Sequence, residues 1–231
     1  MMTKVAIHQP DYLPWLGLFY KMYLSDIFIH LDDAQYSNQA AHNFNVIKTA
    51  QGSLRLKIPV EQHMGDLINE VRTKDELKWK EKHLRTIEMN YTRARYFKEL
   101  FPEFRDLFME KYENIADFNI SINTYIASKF GITPNFMRSS DMTTDSVREQ
   151  RVIDLTKLAG GSEYISGNGA RAYQEESHFT SQGLKLTYLD YQPITYEQQW
   201  GEFLPCMSAI DFVFNCGYDF DTVLRALGKK A

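Results

Sequence analysis

The chain has 231 residues, 44% of them hydrophobic and 14% aromatic, and a formal net charge of −4 with a pI near 5.9. That composition suits one globular domain and argues against disorder, while the acidic balance favours a small-molecule substrate over duplex nucleic acid, although a local basic groove stays compatible with it. No apolar run reaches the length of a membrane span, and Met1-Met2-Thr3-Lys4 passes into strand-like Val5-Ala6-Ile7 without a signal-peptide core, so a cytoplasmic protein is expected.

Residues 5–8 have the pattern of a short buried strand, interrupted by Pro10 and Pro14. Trp15, Leu18, Phe19, Met22 and Tyr23 then recur at helical spacing up to Ser25-Asp26, with Pro14 suited to a first turn. Residues 27–31 form a second apolar run that ends in Asp32-Asp33. Strand, helix and strand over so few residues predict a parallel, right-handed βαβ unit whose strand ends lie side by side.

Residues 44–49 and 54–60 flank Ala50-Gln51-Gly52-Ser53, and the alternation of Leu54, Leu56 and Ile58 predicts an antiparallel hairpin, with Pro59 favouring an edge. From 75 to 130 the pattern is helical: Leu77, Leu84, Ile87 and Tyr91 share a face, and stretches 100–112 and 115–130 follow, which reads as a helical insertion or cap. Strand and helix alternation resumes with a strand at 135–138, a helix at 146–159 closed by Gly160-Gly161, a strand at 163–166 and a last strand at 184–191. Two helices within 208–227, parted at Cys216-Gly217, end the chain. The expectation is a single α/β domain spanning 1–231, with a mostly parallel, Rossmann-like sheet flanked by helices, an edge hairpin and a helical insertion at 75–130. Cys206 and Cys216 sit in no metal-binding or disulfide pattern, and buried free thiols are the default expectation.

The run from His8 to Gly17, His-Gln-Pro-Asp-Tyr-Leu-Pro-Trp-Leu-Gly, followed by Ser25-Asp26-Ile27-Phe28 and Leu31-Asp32-Asp33, resembles the start of the WbqC-like protein family. The resemblance continues in Tyr164-Ile165-Ser166-Gly167-Asn168-Gly169-Ala170, in Tyr191-Gln192-Pro193 and in the segment from Leu204 to Gly217, so it covers nearly the whole chain. It implies association with O-antigen and other surface-polysaccharide gene clusters, and transfer of an aminoacyl group, glycyl in the suggested case, to an amino sugar. One departure lies at His42-Asn43-Phe44-Asn45, where Phe44 stands in place of an expected arginine that could hold a phosphate or carboxylate. A looser similarity, to nucleotidyltransferase-like domains, rests on the strand, Gln-Pro turn, helix and strand order and on Ile165-Ser166-Gly167. It implies ATP, with magnesium, as a cofactor, but the paired histidines of those domains are missing here; Tyr12, Trp15 and Gly17 stand nearby instead.

Several residues are candidates for chemistry. His8 ends the first strand, where ligands bind in open α/β sheets, and is a candidate general base; the plain alternative is that it and Gln9 cap the turn before Pro10. Asp33, or Asp32, is positioned to orient an imidazole or take an amine proton, but adjacent carboxylates on an extended backbone point to opposite sides, so one at most is expected to act. Ser166, Gly167, Asn168 and Gly169 offer small residues whose amides can approach a phosphate at the start of a helix, against the simpler reading of a tight turn. Tyr12, Trp15, Asn43 and Gln192 are carried by the family segments as substrate-binding candidates. His83 shares a helix face with Trp79, which suits an aromatic wall for a sugar or, more commonly, core packing. None of His30, His42, His63 and His178 has zinc-ligand spacing.

Three functions compete: an acyl or aminoacyl transferase acting on an amino sugar or sugar nucleotide, an ATP-binding enzyme that activates a carboxylate, and a non-catalytic binding protein. The oligomeric state is left open.

Overall fold

The computed structural model describes residues 2–229. In chain order the elements are β1 (Lys4–His8), α1 (Leu16–Tyr23), β2 (Ile27–His30), β3 (Phe44–Thr49), β4 (Gly52–Lys57), β5 (Val60–Glu61), β6 (Arg72–Thr73), α2 (Trp79–Tyr91), α3 (Phe97–Met109), α4 (Ile115–Lys129), β7 (Asn135–Arg138), α5 (Arg148–Leu158), β8 (Glu163–Ser166), α6 (Glu176–Ser181), β9 (Lys185–Tyr188), α7 (Ala209–Cys216) and α8 (Phe220–Ala226). They fall into two compact units. One runs to Gln9 and includes Gly17–Asp33 and Ile132–Tyr191; the other comprises Pro10–Leu16, Ala34–Gly131 and the chain from Gln192 onward.

The first unit is built on a five-stranded sheet of order β7-β2-β1-β8-β9 in which every pairing is parallel. Short runs such as Val5-Ala6-Ile7 and Phe28-Ile29 lack polar alternation because a parallel strand is buried on both faces. On one face Val5, Ile7 and Ile29 pack with Ile153 and Leu155 of α5, Phe179 of α6 and Leu186 of β9. Gly161, just after α5, lies where an added Cβ would approach the Thr156 carbonyl oxygen and methyl at 2.9 Å, so close packing demands glycine. The chain steps outward from β1 to β2 and β7, then returns to β8 on the other side of β1. This reversal makes β1 and β8 the topological switch point, where open α/β sheets bind ligands beyond their carboxyl ends.

In the second unit, the hairpin pairs Phe44 with Lys57 through Thr49 with Gly52 and forms a two-stranded sheet of its own. β5 and β6 form another. Helix α3 begins at Phe97, earlier than the apolar pattern at 100–112 suggests, and contains Pro102. Phe97, Phe101, Phe104 and Phe108 fall on one face; Phe97 stacks on Phe101 at 4.4 Å, and Phe214 of α7 meets Phe97, Phe101 and Phe104. Aromatic packing thus outweighs the backbone bond that a mid-helix proline removes. Cys206 is exposed and Cys216 half-buried, which corrects the expectation of two buried thiols; Cys206 occupies an irregular segment at φ 59° rather than an apolar element.

Candidate active site

The switch point is open. β1 pairs with β8 only from Lys4 to Ala6, while its pairing with β2 continues to His8. A cavity of about 350 Å³ lies beyond the split, lined by His8 and Gln9 from the end of β1, Ser166, Gly167 and Gly169 from the end of β8, and Lys21 from α1. Leu31, Val152 and Tyr164 supply apolar wall. Five of the residues singled out from the sequence therefore share one cavity.

The β8 end differs from expectation in one respect. No regular helix follows Gly167; Asn168–Ala172 is a single 3-10 turn, too short for an aligned helix dipole to favour an anion. Any anion held there must rely on individual backbone amides. Ser166 is buried and its hydroxyl donates to Gln174 Oε1 at 2.6 Å, which ties the turn down. Asn168 is exposed on the turn.

Asp32 and Asp33 also depart from expectation. Strand β2 ends at His30, so the two carboxylates sit in a turn and not on extended backbone, and both accept from the Ser139 hydroxyl. Asp32 is fully buried and further accepts from Ser140 N at 3.1 Å and Ser140 Oγ at 2.8 Å. Asp33 is ion-paired with the Arg151 guanidinium of α5. Beside this cluster, burial holds the His30 imidazole down to about 3, helped by the neighbouring Arg138 guanidinium, and the ring stacks on Phe136.

The remaining candidates belong to the second unit. Tyr12 is fully buried, its hydroxyl 2.8 Å from His83 Nδ1, among the rings of Trp79, Phe108 and Phe118. Burial raises the Tyr12 phenol and brings the His83 imidazole down to about 4, so the pair is neutral near pH 7. The Trp79–His83 face is thus a packed core. Trp15 is half-buried and bridges to Ser208, and Gln192 is exposed. Asn43 is buried and donates to the Ile58 carbonyl at 3.2 Å, beside a cavity of about 420 Å³ that Lys57 also lines. At the departure from the family pattern, Arg55 of β4 lies 4.2 Å over the Phe44 ring, which brings a guanidinium to that position from the partner strand.

Three asparagines that the sequence reading passed over hold the Pro10–Leu13 turn. Asn119 donates to the Pro10 carbonyl at 2.9 Å, Asn123 to Asp11 at 2.9 Å, and Asn45 to Leu13 at 2.8 Å. Leu13 sits at φ 42°, an unfavourable backbone for a bulky residue, and these bonds fix it there. Lys21 was also passed over, although a single charge in the apolar helix Leu-Gly-Leu-Phe-Tyr-Lys-Met-Tyr was a visible signal.

The cavity wall offers an ammonium, an imidazole and the backbone of small residues, which fits a phosphorylated ligand. It presents no carboxylate for magnesium, and among the described residues no group of three or more His, Cys, Asp or Glu side chains gathers as a metal site. Among the described residues, no helix is long and apolar enough to cross a membrane.

A family model described as the WbqC-like protein family matches residues 9–221. The uncharacterized protein Rv1507c of Mycobacterium tuberculosis (strain ATCC 25618 / H37Rv) is 34% identical over 228 residues, which is 97% of this chain and 98% of that protein. No solved structure matches the chain.

Proposed function

The chain belongs to the WbqC-like protein family, and from that premise we propose that it is an acyl or aminoacyl transferase forming an amide on an amino sugar or sugar nucleotide for surface-polysaccharide (O-antigen) assembly. The observation that carries this reading is the cavity at the β1–β8 split, with His8 and the Ser166–Gly169 turn on its wall. The sugar's amine attacks the acyl carbonyl carbon; the new C–N bond forms, the bond to the donor's leaving group breaks, and the amine proton passes to the His8 imidazole. His8 is preferred to Asp33 as the base because it lines the cavity, whereas Asp33 is engaged by Arg151 and Ser139. Gln9 and the turn's amides hold the polar ligand.

The strand order supports a second reading, since a crevice at such a switch point suits a nucleotide: ATP-dependent activation of the carboxylate before transfer. One experiment separates the two. Purified protein is incubated with nucleotide-linked amino sugars, glycine donors and ATP, and products are followed by mass spectrometry. Glycyl product without AMP or ADP supports the transferase alone, and product with either supports prior activation. No product and no thermal shift with any nucleotide would overturn both in favour of a non-catalytic binding protein.

A further inference from the structure

The fold hides its aromatic rings almost completely: of the phenylalanines, tyrosines and tryptophans among the described residues, only Tyr23 and Tyr173 are exposed. Tyr23 packs on Tyr20, with ring centroids 6.3 Å apart. Tyr173 is 72% exposed and lines the crevice at the β1–β8 split. The turn that carries it is pinned. Tyr173 N donates to the Ala170 carbonyl at 3.1 Å, Arg171 lies 4.3 Å over the Tyr188 ring of β9, Gln174 accepts from the buried Ser166 hydroxyl, and Glu175 N donates to Glu149 Oε2 of α5 at 2.9 Å. An exposed ring on a fixed backbone is a surface already formed for a ligand, with little left to order on binding.

The wall beside that ring is bare without a structural need for it. Eight glycines of the chain take positive φ, and Gly161 is demanded by packing. Gly167 and Gly169 have neither reason: Gly167 has φ −72°, Gly169 is likewise outside the left-handed region, and a Cβ on either would meet no atom beyond its chain neighbours within 4 Å. Both line the crevice, as does Ala170, so the turn presents backbone and one methyl group to it before Tyr173 is reached. Bare backbone of this kind lets a ligand approach closely.

We propose that the ring of Tyr173 stacks on the nucleobase of a sugar nucleotide bound in this crevice, and that Gly167 and Gly169 leave the room for that ligand to approach. This rests on reading the crevice as the sugar-nucleotide site and adds which end of the ligand lies where. In a sugar nucleotide the sugar and the base stand at opposite ends of the diphosphate. With the sugar's amine at His8 on the β1 wall, the base falls to the wall that follows β8, where the exposed ring is. Stacking uses the flat face that every base has, so Tyr173 favours a nucleotide over a bare phosphorylated sugar without choosing among bases.

The full chain is titrated calorimetrically with UDP and ADP in the wild type, Tyr173→Ala, Tyr173→Phe and Tyr173→Trp. Tyr173→Ala loses about tenfold or more in affinity for whichever nucleotide the wild type binds, whereas Tyr173→Phe and Tyr173→Trp, which keep a flat ring, stay within about threefold. In Tyr173→Trp the emission in excess of the wild type falls when the nucleotide is added and does not fall with ribose 5-phosphate, which has no base. A merely structural ring would give the same affinities without base-dependent quenching, and that result overturns the proposal. Tyr173→Phe as weak as Tyr173→Ala would assign the contact to the hydroxyl and overturn stacking. Nucleotide binding by Tyr173→Ala equal to the wild type overturns the role of Tyr173 and leaves the sugar-nucleotide reading standing, whereas a wild type that binds neither UDP nor ADP overturns both. Should Tyr173→Ala fail to fold, the quenching in Tyr173→Trp decides alone.

Discussion

His8 and His83 both belong to segments that invite a catalytic reading, yet the two units treat them differently. His8 stands half-buried on a cavity wall at a strand end. His83 is bonded to a tyrosine inside an aromatic core. The carboxylates divide in the same way: Asp33 is a half-buried partner of Arg151 in the sheet unit, while Asp211 in the helical unit is fully buried among neutral donors. Residue type thus announces capacity for chemistry, and only burial with its bonds decides between a site and a strut.

The sharpest way to break this comparison is at Asp211. Its carboxylate accepts from Tyr91 Oη at 2.7 Å and from Tyr196 Oη and Gln198 Nε2 at 2.8 Å, and burial pushes its pKa up from the ordinary aspartate value. Asp211→Ala strands the buried Tyr91 hydroxyl and takes an acceptor from the half-buried Tyr196 and Gln198, and we expect a loss of about 3 kcal/mol in urea unfolding. A loss under about 1 kcal/mol would mean that the network is solvated and not structural. Asp33→Asn, which only loosens a half-buried ion pair, is expected to cost about 1 kcal/mol.

Next in size is the acid response of His83. A free imidazole titrates near 6.5 and burial brings this one to about 4, so the unfolded chain takes up the proton more readily than the native one. Stability present above pH 6.5 is therefore lost as the pH falls toward 4, by about 2–3 kcal/mol for this group. His30, held to about 3 in the sheet unit, extends the loss to lower pH. His83→Gln should flatten the wild-type slope of unfolding free energy between pH 6.5 and 4; an unchanged slope would remove His83 from the account.

The parts of the fold written in short-range pattern were legible in the sequence. The β1, β2, β7 and β8 runs, the hairpin and α4 follow from local periodicity and turn residues, because each is decided within a few positions. Helix α6 and the two-residue strands β5 and β6 are too short to carry a period. The site divides along the same line. Gln9 and the Ser166–Gly169 turn could be placed by reading where strands end, but the bonds from Asp32 to Ser139 and Ser140 join residues more than 100 positions apart, and nothing local encodes them. Tyr12 and His83, 71 positions apart, could not be recognised as a bonded core pair for the same reason.

The smallest stability effects make the finest test. Tyr12→Phe keeps the ring among Trp79, Phe108 and Phe118 and removes only the hydroxyl from His83, so about 1 kcal/mol should be lost. Because that hydroxyl is buried in a packed core, product yield in the transfer assay should stay near the wild-type level. His8→Ala should do the opposite: its half-buried side chain leaves stability within about 0.5 kcal/mol, while loss of the proton acceptor lowers product formation by about 100-fold or more. Measured together, the two variants set stability against turnover. If Tyr12→Phe abolished product at native stability, Tyr12 would have to be moved from the core to the site; if His8→Ala left the yield unchanged, His8 would have to be returned to a turn cap, and the cavity would need another base.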